Sequence, residues 1–137
     1  MSEAVTSSPA AAGAEPLRGA RILVVEDEWI TAYDLMATLT QAGAIAVGPA
    51  VTVAKAKQLA ANEAGLAAAL LDCRLGRDDV LPVIHILAAR QIPFVFHTGH
   101  ASQLDLSEWP DAAIVAKPAL PDLLVQALYK TIQPGRC

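Results

Sequence analysis

This chain is poor in the features by which several function classes are recognised. No glycine-rich loop follows any strand candidate, so a nucleotide cradle built from backbone N–H groups has no place to form. Positive charge is scarce and scattered: 10 Lys and Arg stand against 14 Asp and Glu, for a net charge of −4. A nucleic-acid backbone partner is therefore not expected. Only two cysteines occur, Cys73 and Cys137, in positions that give neither a disulfide framework nor a paired metal-ligand spacing, and both are expected as reduced thiols in a cytoplasmic protein. Every apolar run is interrupted by polar residues, Gly or Pro before the roughly 20 residues that span a bilayer. The first 19 residues, MSEAVTSSPAAAGAEPLRG, lack the basic start and apolar segment of an export signal. They are expected as a flexible tail, with one domain over 20–133 and a short tail over 134–137.

Aromatic residues are also few, at 4%, while apolar residues make up 54% of the chain. The core is therefore expected to be built from Ala, Val, Leu and Ile. From residue 20, β-rich runs alternate with helical patterns: RILVV, AIAVGPA, LAAALL, PFVFH and AAIVA are the strand candidates. Four are near-continuous apolar runs, as parallel strands covered on both faces require.

Helical spacing places Ala32, Leu35, Met36, Leu39 and Ala42 on one face, with Gly43 as a stop. A second helix is expected from Thr52 to Glu63. A third is capped by Asp78 or Asp79, and a last one from about Pro121 buries Leu123, Leu124, Ala127 and Leu128. The segment ASQLDLSEWPDA should hold a fourth helix, but its polarity and the Trp109-Pro110 pair predict a short or disordered one. The fold class is α/β, a doubly wound parallel sheet with right-handed crossovers.

In such a sheet the ligand site lies beyond the carboxyl ends of the strands. The residues there are Glu26 and Asp27 after the first strand, Asp72 after the third, Thr98 after the fourth and Lys117 after the fifth. The second strand ends in GPA, which offers no chemistry and suits an outer position. Three converging carboxylates repel one another, so a cation must offset them. Mg2+ fits, since it takes oxygen ligands and is held by one or two carboxylates together with a phosphate. With Lys117 as a second positive charge and the Thr98 hydroxyl as a donor, Asp72 reads as a nucleophile toward a phosphoryl group.

The acidic pair ED, the aspartate of LLD, the T-G after strand four and the K-P after strand five together resemble the receiver domains of bacterial two-component response regulators, over residues 20–133. The resemblance implies a five-stranded sheet of order 2-1-3-4-5. It also implies that Asp72 accepts phosphate from a histidine kinase and that Thr98 and Lys117 contact the phosphoryl group. Mg2+ would lie on Glu26, Asp27, Asp72 and the backbone carbonyl of Arg74, and the Lys117-Pro118 bond would be cis. The stretch from Leu70 to His100 is similar to alphaproteobacterial single-domain regulators named for an F-A-T-G motif: Phe96, Thr98 and Gly99 match, and His97 replaces the Ala. Many such proteins work with HWE or HisKA2 kinases.

The expected protein is a stand-alone, non-enzymatic response regulator that signals to an unknown downstream protein, acts as a phosphate sink or serves as a relay intermediate. Ile114 stands where ordinary receivers carry an aromatic three residues before the Lys, which motivates a rival reading as a phosphorylation-independent binding module. A haloacid-dehalogenase-like phosphatase would need a D-x-D pair after the first strand, whereas Asp72 follows the third and has Arg74 at plus two. The residues around the site have plainer readings: His97 and His100 as structural or rim histidines, His85 as a surface residue, Cys73 as a packed thiol, Trp29 and Trp109 as partly buried rings.

Overall fold

A computed structural model describes residues 15–99, 107–110 and 112–133 of the 137-residue chain. In chain order the elements are β1 (Arg21–Val25), α1 (Trp29–Gln41), β2 (Ile45–Ala50), α2 (Val53–Asn62), β3 (Leu66–Leu71), a two-stranded hairpin of β4 (Arg74–Leu75) and β5 (Asp78–Asp79), α3 (Leu81–Ala89), β6 (Phe94–Thr98), β7 (Ala113–Ala116) and α4 (Pro121–Ile132). The five long strands form one sheet in the order β2-β1-β3-β6-β7, all neighbours parallel. Counting only the long strands, this is the expected order 2-1-3-4-5, with the GPA strand at one edge.

Strand alternation splits the core into two layers. Ile22 and Val24 of β1, Leu70 of β3 and Val95 of β6 face α1 and α4, where they meet Leu35, Leu39, Leu124 and Leu128. Leu23, Val25, Leu71 and Phe96 face α2 and α3, against Ala56, Ala60, Val83, Ile84 and Leu87. Small Ala residues on α2 let that helix lie close to the sheet. Thr52 caps α2, its hydroxyl accepting from the Lys55 N–H at 3.1 Å.

Three expectations need correction. Residues 15–19 form a turn that docks on the sheet rather than part of a loose tail: the Leu17 N–H donates to the Ala42 carbonyl at 3.0 Å, and the Leu17 side chain is 2% exposed. Gly43, at φ +91°, permits this approach, because a Cβ there would stand 2.7 Å from the Glu15 Cβ. Asp78 and Asp79 pair with Arg74 and Leu75 in the hairpin, turned by Gly76 at φ +63°. Helix α3 consequently starts at Leu81, and Asp79 reaches forward to accept the Leu81 N–H at 3.0 Å. Leu123 points outward at 52% exposure, whereas Leu124 and Leu128 are buried as expected. The expected fourth helix falls mostly on residues 101–106 and 111, outside the described residues, as do His100 and the tails 1–14 and 134–137. No helix among the described residues is long and apolar enough to cross a membrane.

Candidate functional site at the carboxyl ends of the strands

The strand ends deliver their polar residues into one pocket. Glu26, Asp27 and Asp72 each place a carboxylate oxygen within 4.8 Å of the others. Lys117, directly after β7, sets its Nζ 2.8 Å from Asp72 Oδ2 and 2.8 Å from Glu26 Oε1. Its backbone N–H donates to the Thr98 carbonyl at 3.1 Å, which ties β7 to the end of β6. The Lys117-Pro118 bond is cis, as the resemblance implied, and so is Gly48-Pro49.

Backbone donors hold the carboxylates in place. Asp72 Oδ1 accepts from the Cys73 N–H at 2.7 Å, so both of its oxygens are engaged. Glu26 Oε2 accepts from the Glu28 N–H at 3.0 Å, just ahead of α1. Asp27 Oδ2 accepts from the Gly76 N–H at 2.7 Å, a link across the pocket to the hairpin that sequence inspection had no means to find. Arg74 sits in that hairpin, and its guanidinium donates to the Arg77 carbonyl rather than entering the acidic cluster.

Burial sets the electrostatics. Glu26 is 1% exposed, and desolvation raises its carboxyl above the ordinary value, with the Lys117 bond, the Glu28 N–H and the Lys117 charge pulling part of the way back. For Lys117, burial alone would lower the ammonium, but its bonds to Asp72 and Glu26 outweigh that and the net shift is upward. The Cys73 thiol is fully buried and pushed up by desolvation, opposed by a bond with the Thr98 side chain. That thiol contact gives Thr98 a partner on the α2–α3 side of the sheet. His97 is 5% exposed rather than at the rim; burial, followed by the Lys117 charge, lowers its pKa.

Three carboxylates on rigid strand ends, from buried Glu26 through partly buried Asp72 to exposed Asp27, form a hard oxygen donor set suited to a divalent cation. Next to the cluster, α1 presents Trp29, Ile30 and Tyr33 at 69%, 71% and 70% exposure. Trp29 was expected to be partly buried; instead it is exposed, with its ring T-shaped to that of Tyr33 at a centroid separation of 6.0 Å. Trp109 is half-buried, against Phe94 and His85.

No protein-family profile and no curated protein sequence matches this chain. Solved structures do. SdrG from Sphingomonas melonis Fr1 is 38% identical, over 80% of this chain and 93% of its own, with a TM-score of 0.69. A response regulator receiver protein from Sinorhizobium medicae WSM419 is 27% identical, over 86% of this chain and 98% of its own, at TM-score 0.73. The response regulator PhyR from Brucella abortus is 27% identical at TM-score 0.74; 90% of this chain is covered, but the match spans only 52% of PhyR. With this fold, this strand order and these relatives, the chain belongs to the response-regulator receiver domains.

Proposed function

We propose that Asp72 is the phosphoacceptor of this response regulator, receiving a phosphoryl group from a sensor histidine kinase or a phosphotransfer protein in the presence of Mg2+. The observation that carries this reading is the Lys117 ammonium held 2.8 Å from both Asp72 and Glu26, beside Asp27. In the transfer, an Asp72 carboxylate oxygen attacks phosphorus. The P–N bond to the donor imidazole breaks, its electron pair stays on nitrogen, and Asp72 keeps the phosphoryl group as an acyl phosphate.

Lys117 then pairs with a phosphoryl oxygen, exchanging one anionic partner for another without leaving Glu26. The Thr98 hydroxyl donates to a second phosphoryl oxygen. Glu26, Asp27, Asp72 and the Arg74 carbonyl would hold the ion, which when bound supplies neutralising charge at the phosphoryl oxygens. The chain acts as an acceptor that passes on a signal by protein contact, in the cytoplasm, rather than as a turnover enzyme. The exposed Trp29, Ile30 and Tyr33, beginning two residues after Asp27, support a protein as the phosphodonor.

Incubation with a phosphorylated kinase and Mg2+ is expected to label the wild type, and Asp72→Asn or a chelator to abolish the label. Equal labelling of the variant removes this reading. One observation favours a second reading, a binding module indifferent to phosphorylation: Ile114 is 48% exposed where an inward-turning aromatic would couple Thr98 to the outer surface. Partner affinity that does not change with beryllofluoride would select it.

A further inference from the structure

The β4–β5 hairpin reaches the acidic end without belonging to the large sheet. Its base is fixed: Leu75 and Val80 are buried in the α2–α3 core layer, and the Val80 N–H donates to the Cys73 carbonyl at 3.1 Å. Its tip of Gly76, Arg77 and Asp78 is exposed, and a hairpin with two residues per strand has little stability of its own. Leu75 pairs with Asp78, so Gly76 and Arg77 form a two-residue turn, with φ positive at Gly76 and not at Arg77. That is the backbone pattern of a II′ turn, which takes Gly first. The N–H of the first turn residue has no partner in such a ladder. Here it leaves the hairpin and donates to Asp27 Oδ2 at 2.7 Å, tying the tip to the site.

That bond matters because Asp27 differs from its neighbours. Both oxygens of Glu26 and both of Asp72 are engaged by Lys117 and by backbone N–H groups. Asp27 is exposed, and the Gly76 N–H is its one hydrogen-bond partner among the described residues. An exposed carboxylate without a partner samples several rotamers; the bond at Oδ2 fixes this one and leaves Oδ1 open to a cation. The Arg74 carbonyl belongs to the same hairpin, whose turn is braced by the Arg74 guanidinium donating to the Arg77 carbonyl. Glu26 and Asp72 are held at the ends of β1 and β3, whereas Asp27 and the Arg74 carbonyl depend on the hairpin. A cation that draws on both groups favours the closed hairpin, and by reciprocity the closed hairpin favours the cation by the same factor.

We propose that the β4–β5 hairpin is a clamp for the divalent ion: the Gly76 N–H positions Asp27, and the bound ion in turn orders the hairpin tip beside the acidic cluster. This inference rests on the Mg2+ ligands proposed above. The probe is MgCl2, titrated into the full chain against NaCl of matched ionic strength, and followed by calorimetry and by water-exchange NMR at the Gly76 amide. Mg2+ is expected to slow Gly76 exchange by about tenfold, within the range usual for coupled sites, and NaCl to leave it unchanged. Asp27→Asn should keep the metal-free protection of Gly76 and gain little with Mg2+. A Cβ at position 76 would meet nothing within 4 Å, so the positive φ alone opposes substitution there. Gly76→Val, whose branched side chain resists that φ, should weaken Mg2+ binding by about tenfold. Gly76→Asn, which tolerates it, should recover most of the affinity. The wild-type exchange readout does not depend on any variant folding. Mg2+ binding with an unresponsive Gly76 amide, or equal Mg2+ affinity in Gly76→Val and the wild type, overturns the clamp alone. A wild type that binds no Mg2+ overturns the proposed ligands and the clamp with them.

Discussion

The acidic end of the sheet and the outer face formed by β7 and α4 follow opposite rules. At the acidic end, Glu26 is 1% exposed and both of its carboxylate oxygens are engaged, as are both of Asp72. On the outer face, Ile114, Leu120 and Leu123 are 48%, 69% and 52% exposed. A buried charge must be matched by geometry, because an unpaired one costs several kcal/mol. An exposed leucine carries no such obligation and leaves surface for a partner. The first region is over-determined by its neighbours, and the second is free to change.

If this contrast holds, substitutions should separate cleanly. The largest effect is expected at the buried side of α4: Leu128, fully buried in the α1–α4 layer, should cost about 4 kcal/mol when changed to Ala, measured by urea denaturation. Lys117→Met comes next, at about 3 kcal/mol at neutral pH, because it strands the buried Glu26 carboxylate without a counter-ion. The pH dependence carries a sign. The Glu26 pKa is raised in the fold, so its burial penalty is absent below the unfolded value and grows as pH rises through the folded one. The Lys117→Met deficit should therefore shrink on acidification. In the wild type, the raised Lys117 pKa means that its stabilisation is fully present below its ordinary value of 10.5 and is lost only as pH rises through the folded value.

A smaller effect of opposite sign sharpens the picture. Asp27 is the exposed member of the carboxylate cluster. Asp27→Asn keeps an oxygen for the Gly76 N–H while removing one of three mutually repelling charges. Solvent screens that repulsion, so a gain of about 1 kcal/mol in thermal or urea stability is expected. The same variant should lose most of its Mg2+ affinity by titration calorimetry, so that added Mg2+ stabilises the wild type and not the variant.

How much of this could be read from the chain depends on the range of the interaction. The parallel sheet, the outer place of its second strand and the gathering of Glu26, Asp27, Asp72 and Lys117 followed from apolar runs and from what each run ends with, because both are local patterns organised by one topological rule, whereas the full strand order came from the resemblance to receiver domains. The docking of Leu17 was not legible: its anchor is the backbone at Ala42 and Gly43, and a single Leu in a polar, Pro-containing stretch has no periodicity to mark it. The hairpin hid for a similar reason. Asp78 and Asp79 have the residue type of a helix cap, and only the turn at Gly76 shows that they pair with Arg74 and Leu75 first. For His97 the choice between a structural and a rim residue stayed open, because it ends a strand candidate just before Thr98. Its burial comes from α1 and α4 closing over that face, which strand alternation alone does not report.

The smallest expected effect tests the outer face directly. Leu123 and Leu124 are neighbours on α4, yet the first is 52% exposed and the second 3%. The helical step of about 100° per residue turns one to solvent and the other to the core. Leu123→Ala trims a half-exposed side chain that belongs to neither core layer, so its stability should stay within about 0.5 kcal/mol of the wild type. Combined with Ile114→Ala on the adjoining edge strand, the change should remain that small, because neither side chain supports a core contact. A loss several times larger in urea denaturation would mean that this face is packed in solution, and the contrast between a paired acidic end and an open outer face would fail at its weaker half.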